Sequence, residues 1–151
     1  MKRTLFILMS IALFCNACKK AEERQLEKDI EKIQDYLDDN NLTAQSTDSG
    51  LHYIINEEGD GARPSAISDV TVKYKGFHPS GNVFDETTSD DGITLSLTSV
   101  IEGWQEGIPL FKEGGNGTLF LPSSLAYGPN GNATIGGDAV IFFDIELISV
   151  D

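Results

Sequence analysis

The sequence predicts an α+β domain, in which a twisted antiparallel sheet of about five strands wraps around one short helix. An N-terminal amphipathic helix is predicted to precede it. Three observations support this class. Apolar residues alternate with a period of two in several short segments after Leu51. A helical spacing interrupts them once, at Trp104, Ile108 and Phe111. A further stripe at spacings of three and four runs through residues 26–37.

The amphipathic helix is predicted over residues 22–42, with Asn40 and Asn41 at its end. Charged side chains, Asp29 among them, separate the stripe residues and are expected to form a solvated face. The stripe consists of Leu26, Ile30, Ile33 and Leu37. A stripe this narrow either packs on the domain or pairs with a second copy, which would give a homodimer through residues 22–42. The sequence leaves both open.

The strands are predicted where β-branched and aromatic residues alternate between turn residues. These segments are residues 51–55, 70–74, 118–121 and 139–150, with a further alternation at Ile93, Leu95 and Leu97. The last segment is long enough to be a central strand. Residues 43–50 are polar and are expected to form a linker, and residues 126–138 form a glycine-rich loop.

The N-terminus has the pattern of an export signal. Lys2 and Arg3 precede an apolar run at residues 5–14, which is too short to span a bilayer. Small residues and Cys18 follow, so the segment resembles a bacterial lipoprotein signal. The resemblance implies a signal peptide at residues 1–17, lipidation of Cys18 and a tether with the helix at residues 18–49. The protein would then be lipid-anchored in the cell envelope, at the outer membrane, facing the periplasm or the surface. An ordinary secretory signal is the alternative.

Charge and cysteine content exclude several functions. The formal net charge of −13 argues against nucleic-acid binding and against docking on anionic lipid by charge. The two cysteines both lie in the N-terminal segment, at residues 15 and 18. The body of the chain therefore has no disulfide and no thiol chemistry.

The polar residues do not form a recognisable catalytic or metal-binding motif. His52 lies in the first predicted strand and His78 follows the second, without the spacing of a metal site. Asp85 with residues 90–92 lacks the terminal glutamate of a calcium loop. Ser123 is not in a nucleophile elbow. We therefore expect no cofactor and no metal, and a site that works by shape, desolvation and a few hydrogen bonds.

Five segments of the second half occur in an order typical of one family. They are Val70–Gly76 (VTVKYKG), Gly81–Asp85 (GNVFD), Val100–Gly107 (VIEGWQEG), Leu121–Pro122 with Ala126–Gly128 (LP, AYG), and Phe143–Leu147 (FDIEL). Over residues 50–151 the chain resembles the FKBP-type peptidyl-prolyl cis-trans isomerases. The resemblance implies a sheet wrapped around one short helix, as the alternation predicts, and an isomerase domain over this range.

The resemblance also implies a role for each pocket residue. Trp104 would form the floor beneath a proline ring. The apolar walls would be Tyr74, Phe84, Val100, Ile101 and Phe143. Hydrogen bonds to ligand carbonyls would come from the Ile101 backbone N–H and the Tyr127 hydroxyl. Ile93 and Ile135 would complete the substrate-binding set. Ile93 stands where many members have phenylalanine, so one wall would be aliphatic and the pocket wider.

Asp85 has two interpretations. It either caps a turn or bonds to Tyr74, as in any β domain, or it faces the imide carbonyl, as the family resemblance implies. The loop after Tyr127 also departs from the family pattern. Gly136 and Gly137 replace a common proline pair, which affects the expected sequence preference.

The function implied is acceleration of X–Pro bond rotation in secreted or envelope proteins. The resemblance implies that the partners are unfolded or peptide chains containing proline and that macrolide inhibitors bind the same pocket. A low-turnover chaperone that holds proline-containing chains is the alternative, because binding and catalysis would use the same walls.

Overall fold

The computed structural model describes the backbone of residues 2–151 and the side chains of residues 19–151. The predicted signal peptide and the predicted lipidation residue Cys18 lie outside the described side chains. The helices are α1 (Lys2–Asp39) and α2 (Glu102–Gly107). The strands are β1 (Gln45–Ser46), β2 (His52–Glu57), β3 (Asp69–Phe77), β4 (Val83–Glu86), β5 (Ile93–Ser96), β6 (Asn116–Leu121) and β7 (Ile141–Val150). Among the described residues, no helix combines the length and apolarity needed to cross a membrane.

The strands form one antiparallel sheet in the order β1-β2-β6-β7-β3-β4, with β5 also pairing with β3. The predicted fold class is confirmed, and β7 is central, between β6 and β3. The strands outnumber the five or so expected because β1 and β4 have only two and four residues, too few to show a clear alternation. The alternation at Ile93 and Leu95 forms β5, as predicted. The segment 43–50 is more than a linker, since β1 extends the sheet by pairing with β2.

Strand alternation sends side chains to two different clusters, one on each face of the sheet. In β6, Leu119 and Leu121 join the cluster that contains Trp104, whereas Phe120 joins the second cluster. In β7, Phe143 joins the first cluster and Phe142 the second. The sheet is therefore apolar on both faces, and each face is covered by a helix.

Helix α1 covers the face of the sheet that carries the second cluster. Ile33 and Leu37 are buried there, and Tyr36 packs with its ring centroid 4.6 Å from that of Phe142. The helix ends as predicted, because Asn41 takes a left-handed φ of 54° and the Leu42 N–H bonds back to the Leu37 carbonyl. The apolar stripe thus packs on its own domain, the first of the two alternatives.

Helix α2 fits against the face that carries the Trp104 cluster because the helix contains two glycines. A Cβ at Gly103 would lie 2.6 Å from a Leu121 methyl, and a Cβ at Gly107 would lie 2.6 Å from a Leu119 methyl. The helix predicted over residues 104–111 forms as α2 followed by a 3-10 turn at Ile108–Leu110, which contains Pro109. This close approach brings Trp104 underneath β3 and β7.

Candidate active site

A cavity of about 360 Å³ opens between the face of the sheet that carries the Trp104 cluster and the start of α2. Its volume is within the range of small-ligand pockets. The residues that line it are Tyr74, Phe84, Asp85, Ile93, Leu95, Ser99, Val100, Ile101, Trp104, Tyr127 and Phe143. They come from β3, β4, β5, β7, the loop after β6, and α2 with the segment that leads into it. Because these segments are far apart in sequence, the cavity depends on the complete fold.

The floor and inner wall of the cavity consist of aromatic rings packed edge to face. Trp104 and Phe143 are only 5% and 3% exposed, and their ring centroids are 5.2 Å apart at an interplanar angle of 82°. Tyr74 packs on Trp104 at 5.0 Å and 79°, and Phe84 packs on Phe143 at 5.7 Å and 90°. Such contacts fix the rings against one another and present a largely apolar surface.

The indole nitrogen of Trp104 is not exposed to solvent. Its Nε1 is buried and has no hydrogen-bond partner among the described residues. The indole therefore contributes its apolar surface to the cavity.

Gly76 on β3 makes room for two of these rings. A Cβ at this position would lie 2.7 Å from the Phe84 ring and 2.8 Å from the Phe143 ring. The Tyr-Lys-Gly segment therefore has a packing reason for ending in glycine.

The polar edge of the cavity is formed by Asp85 and two phenols. The Tyr74 hydroxyl donates a hydrogen bond to Asp85 Oδ2 at 2.7 Å, while Asp85 itself lines the cavity. The bond matches the first interpretation of Asp85, and its position leaves the second available. Burial, with the bond to Asp85, raises the pKa of Tyr74 from 10 to about 12.

Tyr127 lies on the loop after β6 and also lines the cavity. Burial and the charge of Asp85 raise its pKa above the ordinary value. Both phenols therefore keep their protons at physiological pH, and each hydroxyl is a hydrogen-bond donor. The residue after Tyr127 is Gly128, whose φ of 63° is in the region that favours glycine.

The raised pKa of Tyr74 predicts how stability changes at high pH. The folded state holds the Tyr74 proton more tightly than the unfolded chain does. Its contribution to the free energy of unfolding is therefore complete below pH 10 and is lost as pH rises through about 12. Urea unfolding should therefore show a steeper fall in unfolding free energy between pH 10 and 12 for the unaltered chain than for Tyr74→Phe. Tyr53→Phe, which removes an exposed phenol bonded to Gln45, is the control and should keep the steep fall. Equal slopes for the unaltered chain and both variants would contradict the raised pKa of Tyr74.

The structure brings together all but one of the residues predicted for the site. Ile135 is the exception, because it is 2% exposed, packs in the core cluster and does not line the cavity. Two lining residues were not predicted, Leu95 and Ser99. The sequence did indicate Leu95, because it lies two residues from Ile93 and therefore on the same face of β5. Ile93 is 45% exposed and lies at the rim, as an aliphatic wall.

The arrangement suits a neutral ligand with an apolar ring and backbone carbonyls. Within residues 19–151, no group of three or more histidine, cysteine or acidic side chains is placed to hold a metal ion. The polar side chains that line the cavity are the phenols of Tyr74 and Tyr127, the hydroxyl of Ser99 and the carboxylate of Asp85. This site can bind, orient and desolvate a peptide segment.

Comparison with known proteins gives one consistent result. The model of the FKBP-type peptidyl-prolyl cis-trans isomerase domain matches residues 61–148. The isomerase FkpA of Aeromonas hydrophila is 41% identical over 108 residues, covering 71% of this chain and 40% of the relative. The outer membrane protein MIP of Legionella longbeachae is 40% identical over 104 residues, covering 68% and 45%. The chain thus spans less than half the length of these curated relatives.

Solved structures agree with the sequence relatives. The crystal structure of FkpA from Escherichia coli superimposes with a TM-score of 0.74 at 30% identity, covering 96% of this chain and 71% of that one. A peptidyl-prolyl cis-trans isomerase from Pseudomonas syringae gives a TM-score of 0.72 at 28% identity, covering 83% and 95%. The family model covers more than half of the chain, and the sheet, α2 and the aromatic cavity match what the five sequence segments imply. The chain therefore belongs to the family of FKBP-type peptidyl-prolyl cis-trans isomerases.

Proposed function

We propose that this protein is a peptidyl-prolyl cis-trans isomerase that binds the proline ring over Trp104 and accelerates rotation about the preceding peptide bond. One observation carries the proposal. Six parts of the chain converge on a single cavity with an aromatic floor and hydrogen-bond donors at its edge.

The physical basis is differential stabilisation of the twisted imide. Rotation about a peptide bond meets a barrier of about 18–20 kcal/mol, because the nitrogen lone pair is delocalised into the carbonyl. At the transition state this conjugation is lost and the imide is less polar than in the planar state. An apolar cavity therefore favours the twisted form relative to water, without acid, base or covalent chemistry.

The remaining residues would hold the peptide while one side of the bond turns. Ile101 lines the cavity at the residue before α2, where a backbone N–H has no intrahelical partner. Its N–H and the Tyr127 hydroxyl would donate hydrogen bonds to two ligand carbonyls. Asp85, positioned by the Tyr74 hydroxyl, would lie beside the imide carbonyl.

A turnover assay with a proline peptide tests the proposal. Catalytic amounts of the protein should accelerate cis-to-trans conversion, and a macrolide that competes for the apolar cavity should inhibit it. Refolding of a protein limited by proline isomerisation separates this from the chaperone alternative. Acceleration of the slow phase at catalytic amounts indicates an isomerase. An effect at stoichiometric amounts only would indicate a holding chaperone and would overturn the proposal.

We further propose that the protein acts in the cell envelope, anchored by a lipid on Cys18. The export-like N-terminus and the relative named outer membrane protein MIP support this location. In cells fed labelled palmitate, Cys18→Ser should abolish labelling. Cys15→Ser, which changes a cysteine three residues earlier, should not. Labelling that survives in Cys18→Ser would contradict the anchor.

A homodimer through residues 22–42 does not form part of the proposal. Ile33 and Leu37 of the apolar stripe are buried against Phe120 and Phe142 of the same chain. A second copy would have to displace these contacts or use the charged face of α1.

A further inference from the structure

Asp29 of α1 makes a buried polar contact with the loop that carries Tyr127. Its side chain is fully buried, contrary to the solvated face expected from the sequence. Asp29 Oδ2 accepts hydrogen bonds from the Ser123 backbone N–H at 2.9 Å and from the Ser123 hydroxyl at 2.5 Å. On the other oxygen it accepts from Gln25 Nε2 at 2.8 Å and from Lys32 Nζ at 3.4 Å. Four donors thus compensate one buried carboxylate.

Ser123 begins the turn that leads to the cavity. The Leu125 N–H donates to the Pro122 carbonyl and the Ala126 N–H donates to the Ser123 carbonyl, which closes a single 3-10 turn. The Ser123 N–H is a free donor of such a turn, and Asp29 supplies its acceptor. Tyr127 follows directly, after an Ala126 with φ of −114° and ψ of −110°, outside the helical and extended regions.

The position of the Tyr127 hydroxyl therefore depends on where this turn is held. No hydrogen bond from Tyr127 to another described residue is present to fix its ring. The turn is held by Leu125, which is 8% exposed, by packing of Ala126 and Tyr127 against the core cluster, and by the bonds from Ser123 to Asp29. We propose that Asp29 is a positioning residue for the isomerase reaction, holding the Tyr127 hydroxyl in place through Ser123. The proposal rests on the proposed function and assigns to α1 a part in it.

Asp29→Ala removes the acceptor and leaves two donors of Ser123 buried without a partner. In the folded protein it should lower kcat/KM for a proline peptide by about tenfold, the usual consequence of losing one charge-assisted hydrogen bond. Asp29→Asn keeps one oxygen for Ser123 and should retain most of the activity. Asp35→Asn, on the exposed face of the same helix, should leave kcat/KM unaltered.

A double-mutant cycle separates positioning from mere stability. If Asp29 acts through Tyr127, Asp29→Ala should cost little further activity in a Tyr127→Phe background, where the hydroxyl is already absent. Ile33→Ala removes apolar packing between the same helix and the sheet. It should lower the melting temperature without lowering kcat/KM. Equal losses of activity in both backgrounds, or an equal loss in Ile33→Ala, would overturn the proposal.

A spectroscopic readout keeps the test independent of turnover. In nuclear magnetic resonance spectra, Asp29→Ala should shift the amide signals of residues 126–128 and the indole signal of Trp104, and Asp35→Asn should not. If the unaltered protein fails to isomerise proline peptides, the proposed function falls, and these shifts still decide whether Asp29 positions the loop. Unshifted signals in folded Asp29→Ala would contradict it.

Discussion

Replacing Phe84 by leucine should lower kcat/KM for a proline peptide by about tenfold while the protein stays folded. The Phe84 ring lines the cavity and packs edge to face on Phe143. Leucine is smaller and flexible, so solvent would enter the cavity at the transition state. A peptidase-free proline-peptide assay, with circular dichroism to confirm folding, measures the effect.

Phe77→Leu is the matched control for this change. Phe77 lies on the same sheet but packs in the cluster covered by α1. This variant should lose about 1–2 kcal/mol of stability, as buried large-to-small changes do, and keep its activity. Equal activity of Phe84→Leu and the unaltered protein would mean that the Phe84 wall is not used in catalysis.

Gly76→Ala should damage both the fold and the cavity. The new Cβ would lie within 2.7 Å of the Phe84 ring and 2.8 Å of the Phe143 ring, so both rings must move. Overpacking of this kind costs about 1–3 kcal/mol. Because the moved rings form the wall of the cavity, kcat/KM should fall by about tenfold or more, at a temperature where the variant is still folded.

Gly136→Ala provides the comparison for the glycine change. A Cβ at Gly136 would meet nothing within 4 Å, and its φ does not lie in the positive range. Stability and activity should therefore stay within the error of the unaltered protein. A similar loss in both variants would show that the ring contact at Gly76 is not the cause.

The sequence was sufficient to predict the sheet, α2 and most of the cavity, because those features are encoded in short local patterns. Val70 and Val72 alternate with polar residues and are fully buried. The helical spacing of Trp104 and Ile108 places both side chains in the core. The five ordered segments then indicated that residues from β3, β4, α2 and β7 would meet.

Other features were not predicted because they depend on the path of the loops. Ile135 lies in a glycine-rich loop without periodicity, and its burial under that loop is a tertiary result. The contact of Asp29 with Ser123 joins residues 94 positions apart. A signal did exist, since Asp29 lies three residues after Leu26 and four before Ile33, within the apolar stripe. A charge at that position indicates a buried partner.

The solvent isotope effect on turnover tests the central claim most directly. If the cavity works by desolvating the imide, no proton moves in the rate-limiting step, and kcat/KM for a proline peptide should be nearly equal in H₂O and D₂O. General acid–base catalysis, for example by Asp85, would transfer a proton in the transition state and slow the reaction about twofold or more in D₂O. A ratio near one is the predicted result, and a ratio of about two or more would contradict catalysis by an apolar cavity alone.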